Sequence, residues 1–164
     1  MERRAGKGRD TLKIRVIKAT GHLGYSERNL TDVRSYLESG DALNWVPDKL
    51  EVAVYWAMEA WLLMNDYDHE PVPPGLIGWY GVSSAFRKHA PDALAAELLT
   101  CLAKATSLEY FLFGSGIEEE ENLPSLDEWK IMAHECLDRT DHAFDQLYED
   151  LKLPRSKGYL SVEF

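Results

Sequence analysis

The sequence predicts an all-α protein: an antiparallel bundle of four main helices plus a short one, preceded by a possible short β-strand arm. Three observations carry that expectation. Long segments repeat apolar residues at helical spacing, Gly- and Pro-rich stretches separate them, and only one short run alternates with period two. A chain of 164 residues, 45% hydrophobic and with five tryptophans, can bury one core. No internal repeat or linker divides it, so the expected organisation is an arm over 1–24, a bundle over 25–153 and a tail over 154–164.

The arm contains "TLKIRVIKA", in which Leu12, Ile14 and Val16 alternate with Lys13 and Arg15. That pattern suggests one strand seeking a partner edge. Residues 1–20 hold seven basic side chains against two acidic ones, a net of +5, leaving −15 for the remainder of a chain whose total is −10. The body would repel a nucleic-acid backbone, so RNA or DNA binding needs a local basic patch or a partner. Beyond Gly21 and Gly24 the first helix is expected from a Ser26 cap to Gly40, burying Leu30, Val33 and Leu37.

"PDKLEVAVYWAMEAWLLMND" is expected to be the central helix. Pro47 and Asp48 start it, and Leu50, Val54, Ala57, Trp61 and Met64 form its inner stripe. After the loop "DYDHEPVPPG", the segment "LIGWYGVSSAFRKH" reads as a shorter helix ending in Arg87, Lys88 and His89, a basic cluster suited to an anion. The helix opening at Pro91 carries two apolar stripes. Leu94, Leu98, Cys101, Ala105, Leu108 and Leu112 face the core; Ala95, Leu99, Thr106, Tyr110 and Phe113 lie roughly opposite. A second buried side points to a homodimer built on Leu99, Ala103 and Tyr110. Ser125 and Glu128 form a capping box at the start of the last long helix.

Metal readings are weak throughout, and no metal or other cofactor is expected. His134, Asp138 and His142 recur at i, i+4, i+8, but on the side of the last helix opposite Trp129, Leu137, Phe144 and Leu147. Asp66, Asp68, His69 and Glu70 lack the glycine and distal glutamate of an EF-hand loop. Glu118 to Glu121 form a charge run in a turn. Cys101 and Cys136 lie in helices without CxxC spacing and read as reduced core residues. No stretch is long and apolar enough for a membrane span, and the basic start lacks a signal-peptide core, so a cytoplasmic protein is expected.

"YLESGDALNWVPDKLEVAVYWAMEAWLLMND" resembles the opening helix pair of the HEPN family, and "PGLIGWYGVSSAFRKHAPDALAAELL" is similar to the segment that follows in one prokaryotic branch. The likeness runs from about Ser26 to Leu151 in element order and residue texture. It implies a helical homodimer, often a metal-independent RNase of defence or toxin–antitoxin-like systems, with inactive relatives that bind RNA, nucleotides or a protein partner such as a nucleotidyltransferase. Active members carry Arg-x4–6-His, commonly extended to His-x-Tyr, at the helix that here begins at Pro91.

On this chain the Arg-x4-His-x-Tyr frame falls on Lys104, Glu109 and Phe111, and all three depart from it. A variant ending in Asp-Tyr is matched more closely by Glu109-Tyr110. Lys104, Glu109 and Tyr110 thus occupy a degenerate site. A lysine holds phosphate as a point charge but lacks the fork of arginine. Three functions follow: a HEPN-like dimeric binding or regulatory module without efficient RNase activity, a divergent RNase using Lys104 and Glu109, or a helical adaptor docking larger proteins.

Overall fold

A computed structural model of the chain describes residues 11–67, 79–113 and 123–156. Five α-helices occupy them: α1 Leu12–Ser39, α2 Val46–Met64, α3 Tyr80–His89, α4 Asp92–Phe113 and α5 Leu126–Leu151, with a 3-10 turn at Leu43–Trp45. No strand is present among the described residues. None of the described helices is long and apolar enough to cross a membrane.

Cross-helix contacts fix the register. Ser26 Oγ donates to Ala53 O at 2.8 Å, Lys49 Nζ meets Asp32 at 3.0 Å, and Arg15 reaches Leu63 O at 3.5 Å. Moving back along α1 therefore means moving forward along α2, so the two are antiparallel. The same holds for α4 and α5, where Glu97 pairs with Arg139, Cys101 O with Cys136, and Leu108 O with Trp129. α2 is central and touches every other helix. Its Leu50, Val54, Ala57 and Trp61 are buried as their spacing predicts, while Met64 is half-buried.

The strand expected over Leu12–Val16 is instead the first turn of α1. Thr11 caps it, accepting from the Ile14 backbone N–H at 3.3 Å. Alternation over five residues is a short signal. The competing helical face (Ala19, Leu23, Leu30, Val33, Leu37) lies along α2, where burial rewards every turn. A strand there would leave its backbone groups without a ladder. The boundary expected at 24/25 falls inside this helix, which runs through Gly21 and Gly24. Ser26 is no cap either: it is fully buried in mid-helix, its hydroxyl bonded to α2. α1 ends where expected, on Gly40, whose φ of +75° suits a residue without a Cβ.

Other expectations hold. The capping box is formed, with Ser125 Oγ accepting from Glu128 N at 3.1 Å and Glu128 Oε1 accepting from Ser125 N at 3.4 Å. Trp129, Ala133, Leu137, Thr140, Phe144, Leu147 and Leu151 are buried, and His134, Asp138 and His142 are exposed. Both cysteines are buried and unbridged, and burial pushes both thiols up, Cys136 to about 11.

Arg155, in the segment after α5, ties the bundle together. Its guanidinium bonds Glu27 of α1 at 2.9 and 3.3 Å, and Asp141 and Asp145 of α5 at 2.7 and 2.9 Å. Arg34 meets the same Asp141 oxygen at 2.9 Å. Burial opposes the charge on Arg155, but the Glu27 hydrogen bonds and the surrounding carboxylates outweigh it and raise its pKa. Removing Arg155, whose side chain is 5% exposed, costs ~3–5 kcal/mol, because the nearly buried Glu27 loses its partner.

Candidate functional site

α4 positions Lys104, Glu109 and Tyr110, and its neighbours decide what each can do. Leu94, Leu98, Cys101, Ala105 and Leu108 point into the core, with Leu112 half-buried. Lys104 and Glu109 are five residues apart, about 140° around the helix. They accordingly face different partners: Lys104 lines a groove against α5, and Glu109 turns toward α2.

On the α2 side, Glu109 comes within hydrogen-bonding reach of Glu51, a half-buried residue of the central helix. Thr106 Oγ1 lies 3.2 Å from Glu51 Oε1 and 3.1 Å from Leu102 O. Burial pushes the Glu51 carboxyl up to about 7, and the charge and hydrogen bond of Glu109 push the same way; Thr106 opposes them. A second carboxylate this close disfavours the Glu51 anion. Sequence reasoning singled out Glu109 and missed Glu51. The available signal was an acidic residue on a helix apolar on several faces.

The carboxyl pair continues into an aromatic ridge. Tyr55, one turn after Glu51, stacks on Trp79 at 5.3 Å; Trp79 meets Trp56 edge-on at 5.0 Å. Trp56 in turn contacts His22 and Tyr25 of α1 at 4.5 and 5.7 Å. Burial and the Glu51 charge raise the Tyr55 pKa, and burial lowers that of His22. The ridge ties α1, α2 and the start of α3 together beside the carboxyl pair.

On the α5 side, Lys104, Ser107, Leu108 and Phe111 face Met132, Glu135, Cys136 and Arg139 across a groove of about 380 Å³. Arg139 is engaged by Glu97 at 2.7 and 3.3 Å. That contact raises the Arg139 pKa and lowers that of Glu97. Tyr110 is 40% exposed, its ring edge-on to Phe111 at 5.7 Å.

The basic cluster at the end of α3 divides. Arg87 and Lys88 are exposed, while His89 stacks face to face on Tyr67 at 4.2 Å, and burial lowers its pKa. The imidazole is thereby favoured neutral, which leaves Arg87 and Lys88 as the charged, exposed members. Among the described residues no three His, Cys, Asp or Glu side chains converge as metal ligands. Asp66 stands 3.6 Å from Arg15; Asp68, His69, Glu70 and Glu118 to Glu121 lie outside the described residues.

The exposed face of α4 carries the proposed interface residues. Ala103 and Tyr110 are exposed and Leu99 is half-buried. Thr100 and Ser107 donate their hydroxyls to the α4 carbonyls of Ala96 and Ala103, at 2.7 and 3.1 Å. Bonded to their own helix, these hydroxyls leave the face smooth and largely uncharged. Comparison with protein-family models, curated proteins and solved structures finds no match to this chain.

Proposed function

We propose that the protein is a HEPN-like helical module that binds and regulates rather than cuts. It would act as a homodimer in a prokaryotic defence or toxin–antitoxin-like setting, with RNA, a nucleotide or a larger protein as its target. One observation carries the negative half of this reading: Lys104 and Glu109 turn to opposite neighbours of α4, so they share no substrate position. Nor does α4 contain an arginine or a histidine. Cleavage of a ribose phosphate wants a proton-transfer group and a phosphate clamp in one place.

A second reading, a divergent metal-independent RNase, is favoured by a different pair from the one in the motif. Glu51, titrating at about 7 beside Glu109, is a group suited to general acid–base work near neutrality.

The deciding assay incubates purified protein with mixed RNA in chelator, alongside Lys104→Ala, Glu109→Gln and Glu51→Gln. The binding-module reading expects no cleavage by any of the four proteins. Cleavage by the wild type that survives Lys104→Ala but is lost in both glutamate variants would replace it with the carboxyl-pair enzyme.

A further inference from the structure

The groove between α4 and α5 has an unusual lining for its size. Leu108 and Cys136 form a buried apolar floor, with Phe111 and Met132 half-buried toward one end. The other side chains are Ser107 and three charges: Lys104 from α4, and Glu135 and Arg139 from α5. Arg139 is answered by Glu97, which takes its Nε and one Nη2 donor and leaves the Nη1 donors available. Lys104 and Glu135 face the same groove, yet neither forms an ion pair among the described residues, with each other or with anything else.

An occupant of this groove lies against both charges and displaces part of their water. A purely apolar guest would leave both uncompensated. An amphipathic anion would be held at Lys104 but set against Glu135, and an amphipathic cation would meet the reverse. Only a molecule with both signs and an apolar body answers every group present. The volume of about 380 Å³ lies at the low end of the ~300–1,000 Å³ typical of small-molecule sites.

We propose that the α4–α5 groove binds a free apolar α-amino acid, with Lys104 and the Nη1 donors of Arg139 on its carboxylate, Glu135 on its ammonium group, and Leu108, Phe111 and Met132 against its side chain. The inference deepens the binding-module reading by giving Lys104 a ligand class. It concerns a different face of α4 from the Glu51–Glu109 pair. RNA cleavage would overturn that reading without affecting amino-acid binding, and a failed amino-acid titration would leave the RNA result standing.

The test is an amide NMR titration of the full chain with phenylalanine, leucine and methionine, and with two truncated probes, 3-phenylpropionate and 2-phenylethylamine. Saturable shifts confined to residues 104–111 and 132–139 are expected with at least one amino acid, and the truncated probes should bind at least about tenfold more weakly. Lys104→Met should weaken the amino acid about tenfold while leaving 2-phenylethylamine unaffected, and Glu135→Gln should spare 3-phenylpropionate. Both side chains are exposed, and an unchanged amide spectrum elsewhere verifies folding. Equal binding of phenylalanine and its truncated probes would overturn the proposal. So would shifts outside the groove, or no saturation at ~10 mM of any of the three amino acids.

Discussion

At the scale of single residues, Glu51 is the group whose environment departs most usefully from water. Its carboxyl titrates at about 7 against an ordinary 4.5 because burial and Glu109 disfavour the anion. Between those values the folded state holds a proton that the unfolded state has released. Stability contributed by the protonated form is therefore complete below about pH 4.5 and is lost as pH rises through about 7. Half-burial and solvent screening reduce the effect to ~1–2 kcal/mol. Glu51→Gln keeps the shape and removes the charge. Urea denaturation at pH 5 and pH 8 should show the variant gaining on the wild type by that amount at pH 8 and little at pH 5. An equal difference at both pH values would mean that Glu51 titrates as a solvated side chain.

At the scale of elements, α1 shows how a local pattern yields to a longer one. The alternation of Leu12, Ile14 and Val16 covers little more than one turn of helix, whereas Ala19 and Leu23 extend a buried face that continues to Leu37. Leu12 and Ile14 remain 60% and 42% exposed and Val16 is half-buried, so the apolar residues that suggested a strand take little part in the core. The consequence is measurable. A chain lacking residues 1–20 loses Ala19 from the core, uncaps the helix and removes the Arg15 contacts to Leu63 and Asp66. It should be less stable by ~1–3 kcal/mol, read as a lower melting temperature by circular dichroism. An unchanged melting temperature would restore the separable arm.

For the whole molecule, the outer face of α4 is the surface on which the proposed dimer would form. Ala96, Leu99, Thr100, Ala103 and Tyr110 form an uncharged surface on a chain in which 28% of residues are charged. The Thr100 and Ser107 hydroxyls already bond to the helix, so a second copy packing there would need to accept from the Tyr110 hydroxyl but from neither of these. Light scattering at micromolar concentration should give twice the chain mass of 18.7 kDa. Leu99→Asp, which puts a carboxylate at the proposed two-fold contact, should shift it to the monomer with the helical spectrum retained. A wild-type monomer would remove the dimer from the proposed function.

The sequence by itself determined the all-α class, the capping box, the Gly40 stop and the buried faces of α2, α4 and α5. Each is written in helical spacing or in a terminus signal, and spacing is a property of the local chain. It also set Lys104 and Glu109 on different sides of α4, since that angle follows from helical geometry alone. What it could not contain is the identity of the neighbour on each side. Glu51 lies 58 positions before Glu109 in the chain, and the groove opposite Lys104 is completed by Met132, Glu135 and Arg139. Arg155 stands 128 residues from Glu27 and carries no periodic signal. Those pairings depend on how α1, α2, α4 and α5 pack. Packing brings a half-buried acid beside another acid, and that proximity moves the Glu51 pKa where neither residue type nor spacing would.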